Sequence, residues 1–345
     1  MYSPYVSGPT TFINVLAEQY AKDGHEVVIF THKGATNPLE DRGVRVITFR
    51  AIPSLIYPEL RITLPNPFKF TDAIGKEAPD IIHSNTPGPL SSMAARSGKK
   101  LGIPTVITFH GLMENYYRYL SLNALPHFTW ASLPQSTLRD NYKKWLIRAF
   151  IRRHFKKFDV VTASTPLTQN IVEKEGIPCE LVKIGLDIGT FHQKQSYKKT
   201  GKMLSVSRLG FEKKLDIALH AMQKLQDPNL QLTIVGDGPA RPGLEKLTKK
   251  LGLTKQVEFL GKVDRTTLQQ YFDSHDFFVN ASDTETFGYV TAEAMAGGLP
   301  ILGVKSQGTG ELISEGTNGY AAEPNNVDSF AHTLEKMAAI KDYTK

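Results

Sequence analysis

The sequence predicts an α/β protein of two domains, each wound around a parallel β-sheet. Three observations predict it. The chain has 345 residues of which 41% are apolar, enough to bury two cores of ordinary size. Helix-like and strand-like segments alternate, the pattern that leads to parallel sheets. A polar, aperiodic stretch near the middle interrupts the alternation, which then restarts.

Taken in order, TTFINVLAEQYAKDG has helical apolar spacing and HEVVIFT after it reads as a buried strand. PDIIHSN and PTVITFH repeat the strand pattern. The aperiodic stretch runs from Asp187 to Gly201. Beyond it KMLSVSR, LQLTIVGDG, QVEFLG and DFFVNAS form a second series of strands. The expected domains are therefore 1–190 and 200–345. No short-period repeat or low-complexity segment interrupts either.

The least typical region lies between Tyr116 and Lys157. It is aromatic first (Tyr116, Tyr117, Tyr119, Phe128, Trp130) and basic afterwards (Arg139, Lys143, Lys144, Arg148, Arg152, Arg153, Lys156, Lys157). Wound as a helix, NYKKWLIRAFIRRHFKKF sets Trp145, Leu146, Ala149, Phe150 and Phe155 on a mainly apolar side. Two readings fit: a basic amphipathic helix at a membrane surface, or a soluble helix with a solvated charged face.

Composition narrows the class. The net charge of +7 suits an anionic membrane surface or nucleic acid, but no nucleic-acid motif accompanies it, so nucleic acid is not an expected partner. The single cysteine, Cys179, rules out an intrachain disulfide framework and fits a reducing, cytoplasmic setting, although a cysteine-poor secreted protein would look the same. The opening MYSPYVSGPT lacks the basic and apolar regions of a signal peptide, and no run approaches the roughly 20 apolar residues of a membrane span.

The chemistry concentrates in the second half. SDTETFGYVTAEAMAGGLP places Glu285 and Glu293 eight positions apart. With Glu285 in the loop after DFFVNAS and a helix opening near Tyr289, Glu293 falls about one turn into that helix, whose first N–H groups can hold a diphosphate. Ionised carboxylates are pure acceptors, so Glu293 suits a ribose and Glu285 the hydroxyls of a sugar. Arg208 and Lys213 follow the first strand of the half, where open α/β sheets bind ligands, and offer fixed charge to phosphate. Gly236 and Gly238 of VGDGP permit close approach to a ligand or make a plain turn. No G-x-G-x-x-G follows an early strand, which argues against a nicotinamide-dependent dehydrogenase.

Together SVSRLGFEKK, IVGDGP, ETFGYVTAE and AMAGGLPIL resemble, in order and separation, the donor-binding domain of the family 4 retaining glycosyltransferases of GT-B fold. The resemblance extends to YSPYVSGPTTFINVLAEQYAKDGHEVVIFT, which is similar to the family's amino-terminal segment. It implies two Rossmann-like domains with parallel sheets facing across a cleft, an acceptor domain first and a nucleotide-sugar donor domain second. It implies a hexosyltransferase that retains configuration, with His110, Glu285, Arg208 and Lys213 as catalytic residues. Gly8, Gly236, Asp237, Phe287, Gly288, Tyr289 and Glu293 are then the donor-binding residues, with no metal and no tightly bound cofactor. SPYVSG, YPELRITLPNP, PDIIHSNTPGPLS and HGLMENYYRYL are most similar to bacterial diacylglycerol glucosyltransferases, which implies UDP-glucose as donor. It also implies a membrane lipid as acceptor, an anionic membrane surface as partner, and a peripheral location at the inner face of the cytoplasmic membrane. Mannosyltransferases acting on phosphatidylinositol, or a sugar-nucleotide- or lipid-binding module without activity, are the alternatives. Relative to the family, the first strand and the terminal crossover helix are expected to be missing, and Lys214 stands where glycine is common.

Overall fold

The computed structural model describes residues 8–53, 61–64, 66–111, 145, 148–183, 185, 191–306 and 308–340. The chain divides into two compact units, Met1–Gly185 and Leu186–Lys345.

The first unit opens with helix α1 (Gly8–Lys22), which buries Phe12 and Ala17. Gly24, at φ 88°, turns the chain into β1 (Val28–His32), which pairs in parallel with β2 (Arg45–Phe49). A short antiparallel pair follows, β3 (Ala51–Pro53) with β4 (Arg61–Thr63). Helix α2 (Pro67–Glu77) starts where Asn66 accepts hydrogen bonds from the Phe68 and Lys69 amides, the side-chain cap expected before a proline at the first helical position.

Next come β5 (Ile82–Ser84), α3 (Pro89–Leu101), β6 (Thr105–Phe109), helix α4 (148–155), β7 (Val160–Ala163), α5 (Pro166–Glu173) and β8 (Glu180–Leu181). Strands β5 to β8 form a parallel sheet in chain order, separate among the described residues from β1–β2. The apolar interior is divided in the same way. One cluster gathers Ile107, Phe109, Ile151, Phe155 and Val161; two smaller ones lie around Phe70 and around Val44.

Helix α4 sorts its residues differently from the helical reading of the sequence. Phe155 is fully buried and Ile151 nearly so, while Trp145 and Phe150 are exposed. His154 joins the buried face, because Ser91 and Ser92 of α3 take both ring nitrogens, at 2.8 and 3.2 Å. Arg148 and Arg152 both pair with Glu175, at 3.4 and 3.0 Å. Tyr116, Tyr117, Tyr119, Phe128, Trp130, Arg139, Lys143, Lys144 and Leu146 lie outside the described residues.

The second unit is a single six-stranded, all-parallel sheet. Its strands are β9 (Lys202–Val206), β10 (Gln231–Val235), β11 (Val257–Gly261), β12 (Phe277–Val279), β13 (Ile301–Val304) and β14 (Gly319–Ala322). They are joined through α6 (Leu215–Leu225), α7 (Arg241–Lys250), α8 (Arg265–Ser274), α9 (Tyr289–Ala296) and α10 (Thr309–Leu312), and α11 (Val327–Ala339) follows the last strand. The order β11-β10-β9-β12-β13-β14 is the doubly wound 3-2-1-4-5-6 arrangement. Continuous apolar strands such as FFV and ILGV are what a sheet covered on both faces requires. Phe277, Phe278, Phe272 and Phe330 are almost completely buried on its two faces.

Candidate functional site

In a doubly wound sheet the connections leave in opposite directions from the two strands where the order reverses, and a crevice opens outside their carboxyl ends. Here those strands are β9 and β12. The loops that leave them, 207–214 and 280–288, carry Arg208, Lys213, Glu285, Phe287 and Gly288 of the residues singled out from the sequence.

Three links tie the two loops together. Lys213 Nζ donates to Glu285 Oε1, and each of these side chains is only 20% exposed. Ser282 Oγ donates to the Glu212 carbonyl at 3.1 Å. Lys214 Nζ lies 2.6 Å from Asp283 Oδ2. Within the first loop Arg208 Nη2 donates to Glu212 Oε1 at 2.9 Å. Burial pushes the Glu212 carboxyl above its ordinary range against the pull of its own backbone amide and of Lys213. The two expected phosphate ligands are thus held by carboxylates at this edge, Arg208 by Glu212 and Lys213 by Glu285.

Helix α9 begins where the sequence predicted, at Tyr289, with Gly288 in the left-handed conformation at φ 80° just before it. The amides of its first turn have no intrahelical acceptor, so this end favours an anion. Asn280 anchors it by donating to Thr291 Oγ1 and Thr309 Oγ1 at 3.0 and 3.1 Å. Glu293, the fifth residue of the helix, is buried. Tyr289 packs edge-on against Phe287, with centroids 5.1 Å apart. Burial, with the Glu293 carboxylate adding to it, drives the Tyr289 phenol well above its usual range. The Tyr289 hydroxyl, Ser207 Oγ, Glu212 Oε2 and Asp283 Oδ1 are all buried without a hydrogen-bond partner among the described residues. Four such atoms at one sheet edge mark a place suited to a polar ligand.

The glycines of VGDGP have a nearer reason than a ligand. Gly236 adopts φ 131°, and a Cβ there would lie 1.8 Å from the Ser207 carbonyl oxygen; one at Gly238 would lie 2.5 Å from that of Leu209. The two loops interlock through Leu209 N to Asp237 O and Ala240 N to Leu209 O, both 2.9 Å. The close approach is therefore to the loop that carries Arg208. Asp237 is half-exposed and accepts from the Gly238 amide at 2.8 Å.

In the first unit His110 directly follows β6. Its Nε2 lies 3.0 Å from Asn85 Oδ1, and Phe12 packs edge-on against the ring at 4.5 Å. Burial, reinforced by the nearby His83, lowers its pKa to about 3. The imidazole is neutral at ordinary pH, and an acceptor at Asn85 sets its proton on Nε2. Gly8 is the first residue of α1, one turn before Phe12; residues 1–7 lie outside the described residues. Sequence reasoning passed over Asn85, although PDIIHSN and PTVITFH end neighbouring parallel strands and so bring Asn85 beside His110. It also passed over Glu212, whose signal is the helical spacing to Arg208. Among the described residues no group of three His, Cys, Asp or Glu could hold a metal, and no described helix is long and apolar enough to cross a membrane.

Comparison with known proteins shows the family and the fold. Glycosyltransferase Family 4 matches residues 6–188 and Glycosyl transferases group 1 matches residues 188–344. The chain is 27% identical over 96% of its length to the sulfoquinovosyl transferase SQD2 of Arabidopsis thaliana, and spans 64% of that protein. It is 25% identical over 99% of its length to the alpha-monoglucosyldiacylglycerol synthase of Streptococcus pneumoniae, covering 77% of it. The crystal structure of Anabaena Alr3699/HepE in complex with UDP superposes with a TM-score of 0.74 at 20% identity, over 99% of this chain and 90% of that one. The chain therefore belongs to Glycosyltransferase Family 4, and its two units are the two Rossmann-like domains of the GT-B fold.

Proposed function

We propose that the protein transfers a hexose with retention of configuration from a UDP-sugar, UDP-glucose in this reading, to a lipid acceptor such as diacylglycerol. One observation carries it: the Lys213–Glu285 pair stands at the strand-order reversal of the second unit, in the loop that leads into the open N-terminus of α9. A cation, a sugar-hydroxyl acceptor and unpaired amides are what a nucleoside diphosphate hexose presents partners for. The S. pneumoniae relative, named for the synthesis of a glucosyldiacylglycerol, supports the lipid acceptor.

In this mechanism the diphosphate displaces Glu285 from Lys213, so that Arg208 and Lys213 stabilise the charge that grows on the leaving group while Glu285 turns to the sugar hydroxyls. The Gly288 amide and the first-turn amides of α9, Tyr289 among them, hold the phosphates, and Glu293 accepts from the ribose. The acceptor hydroxyl attacks the anomeric carbon on the face from which the diphosphate departs. The C–O bond to phosphate breaks as the new glycosidic bond forms, and the hydroxyl proton passes to a β-phosphate oxygen. No protein nucleophile is needed. Neutral His110, braced by Asn85, serves the transferred sugar as a hydrogen-bonding group. The first unit is assigned to the acceptor and the second to the donor. The exposed Trp145 and Phe150, beside a basic helix, would rest on an anionic membrane at the cytoplasmic face.

The test is UDP or GDP release from a panel of nucleotide sugars with diacylglycerol, phosphatidylinositol and soluble sugars as acceptors. UDP release that requires UDP-glucose and diacylglycerol is the expected result; transfer from GDP-mannose to phosphatidylinositol would replace this reading. Cosedimentation with liposomes rich in anionic lipid tests the membrane contact, and a protein left in the supernatant would remove it.

A further inference from the structure

Lys214 occupies a position where the backbone favours glycine. Its φ is 49°, in the left-handed region, at the junction between the turn Phe211–Lys213 and α6. A side chain there carries a conformational cost that glycine would not. The side chain that bears this cost is used. It is 13% exposed, its Nζ is 2.6 Å from Asp283 Oδ2, and it also donates to Asn325 Oδ1. Asn325 itself sits at φ 58° in the loop before α11, and its Nδ2 closes the triangle on Asp283 Oδ2 at 2.7 Å.

The triangle ties three loops that leave the carboxyl edge of one sheet: those after β9, β12 and β14. Its anchors are next to the groups assigned to the donor. Lys214 follows Lys213 directly, and Asp283 precedes Glu285 by two residues, so both members of the Lys213–Glu285 pair hang from the same brace. When a diphosphate takes Lys213 from Glu285, that direct tie between the two loops is lost. The tie through Lys214 runs to Asp283 Oδ2 and Asn325 Oδ1 and leaves Lys213 and Glu285 to the donor.

We propose that Lys214 is a positioning residue which, through Asp283 and Asn325, keeps the Lys213 and Glu285 loops in register while the nucleotide sugar is bound. This rests on the donor-binding reading given above. The residue does not touch the substrate in this account; it acts through its neighbours. Glycine at this position would make the turn more easily and leave the loops unbraced.

The experiment measures UDP affinity by calorimetry, donor KM and kcat, and thermal unfolding for Lys214→Gly, Lys214→Met, Lys214→Arg, Asp283→Asn and the double change Lys214→Met with Asp283→Asn, with Glu285→Ala alongside. Lys214→Gly relieves the backbone cost, so it should unfold within a few degrees of the parent. It and Lys214→Met should raise the UDP Kd and donor KM about ten-fold, a coupling of ordinary size for a partly buried ion pair, with kcat changed less. Lys214→Arg should restore most of the affinity. Asp283→Asn should match Lys214→Met, and the double change should be no worse than either alone. Unchanged UDP affinity and KM in both Lys214→Gly and Lys214→Met overturns the proposal, as does full additivity of the pair. Failure of the donor reading looks different: the parent protein would then bind no UDP, and Glu285→Ala would change nothing.

Discussion

The two units solve the same architectural problem with different continuity. The second carries six parallel strands in one sheet, with two large apolar clusters against its faces and three cross-links between the loops at its carboxyl edge. The first divides its described strands among three small sheets and its described apolar residues among three clusters, with His154 buried beside one of them. His83, His110 and His154 are all held neutral by burial, against His275 in the second unit. Charge chemistry at a diphosphate needs groups fixed before the ligand arrives, and the braced edge supplies that. In the proposed function an apolar acceptor would place no such demand on the first unit.

The largest effect that would sharpen this contrast is in the core. Phe155→Ala removes a completely buried ring from the first unit and should cost about 3–5 kcal/mol. Two separated transitions in a urea titration are expected; a single shifted transition would show that the units do not unfold separately. Gly236→Ala should cost the second unit about 3 kcal/mol, because the added Cβ would press on the Ser207 carbonyl in a backbone region closed to side chains. An unchanged melting temperature would contradict the interlocked loops.

Glu285→Gln keeps the shape of the edge and removes its charge. Turnover should fall by about a hundred-fold, near 2.7 kcal/mol, with unfolding nearly unchanged. Equal losses of stability and activity would make the pair structural.

The smallest effect is with pH. A buried histidine whose folded pKa is depressed binds fewer protons than the unfolded chain does, so stability is full above its ordinary value of 6.5 and declines as pH falls toward the folded value. For His154, lowered to about 4 by burial and by Lys157, that window runs from about 6.5 to 4. The first unit should lose about 1–2 kcal/mol per such histidine between neutral pH and the lower part of the window. His154→Gln should flatten the profile read by urea midpoints; an unaltered slope would assign the acid sensitivity elsewhere.

Much of this was legible in the chain. Alternation marked the strands, and the polar, aperiodic stretch marked the break between the two series. A helix opening near Tyr289 was expected after the strand DFFVNAS and its loop, and α9 starts there; the order SVSRLGFEKK, IVGDGP, ETFGYVTAE is local enough to read directly. His154 was not legible as a core residue, because a histidine in a basic helix reads as one more polar residue until two serines on another helix meet both its nitrogens. Trp145 and Phe150 were placed with Phe155 by helical spacing alone, yet the burial of a helix face depends on what packs against it.

The residues and their order determined by themselves the α/β class and the family, since each is a matter of local pattern. Only the tertiary structure decided which carboxylate answers which cation, that Gly236 serves a neighbouring loop, and that Lys214 spans to Asp283 and Asn325. The Lys213–Glu285, Lys214–Asp283 and Lys214–Asn325 pairings join positions 69 to 111 residues apart, and the parallel sheet brings them together only once β9, β12 and β14 lie side by side in one sheet with β13.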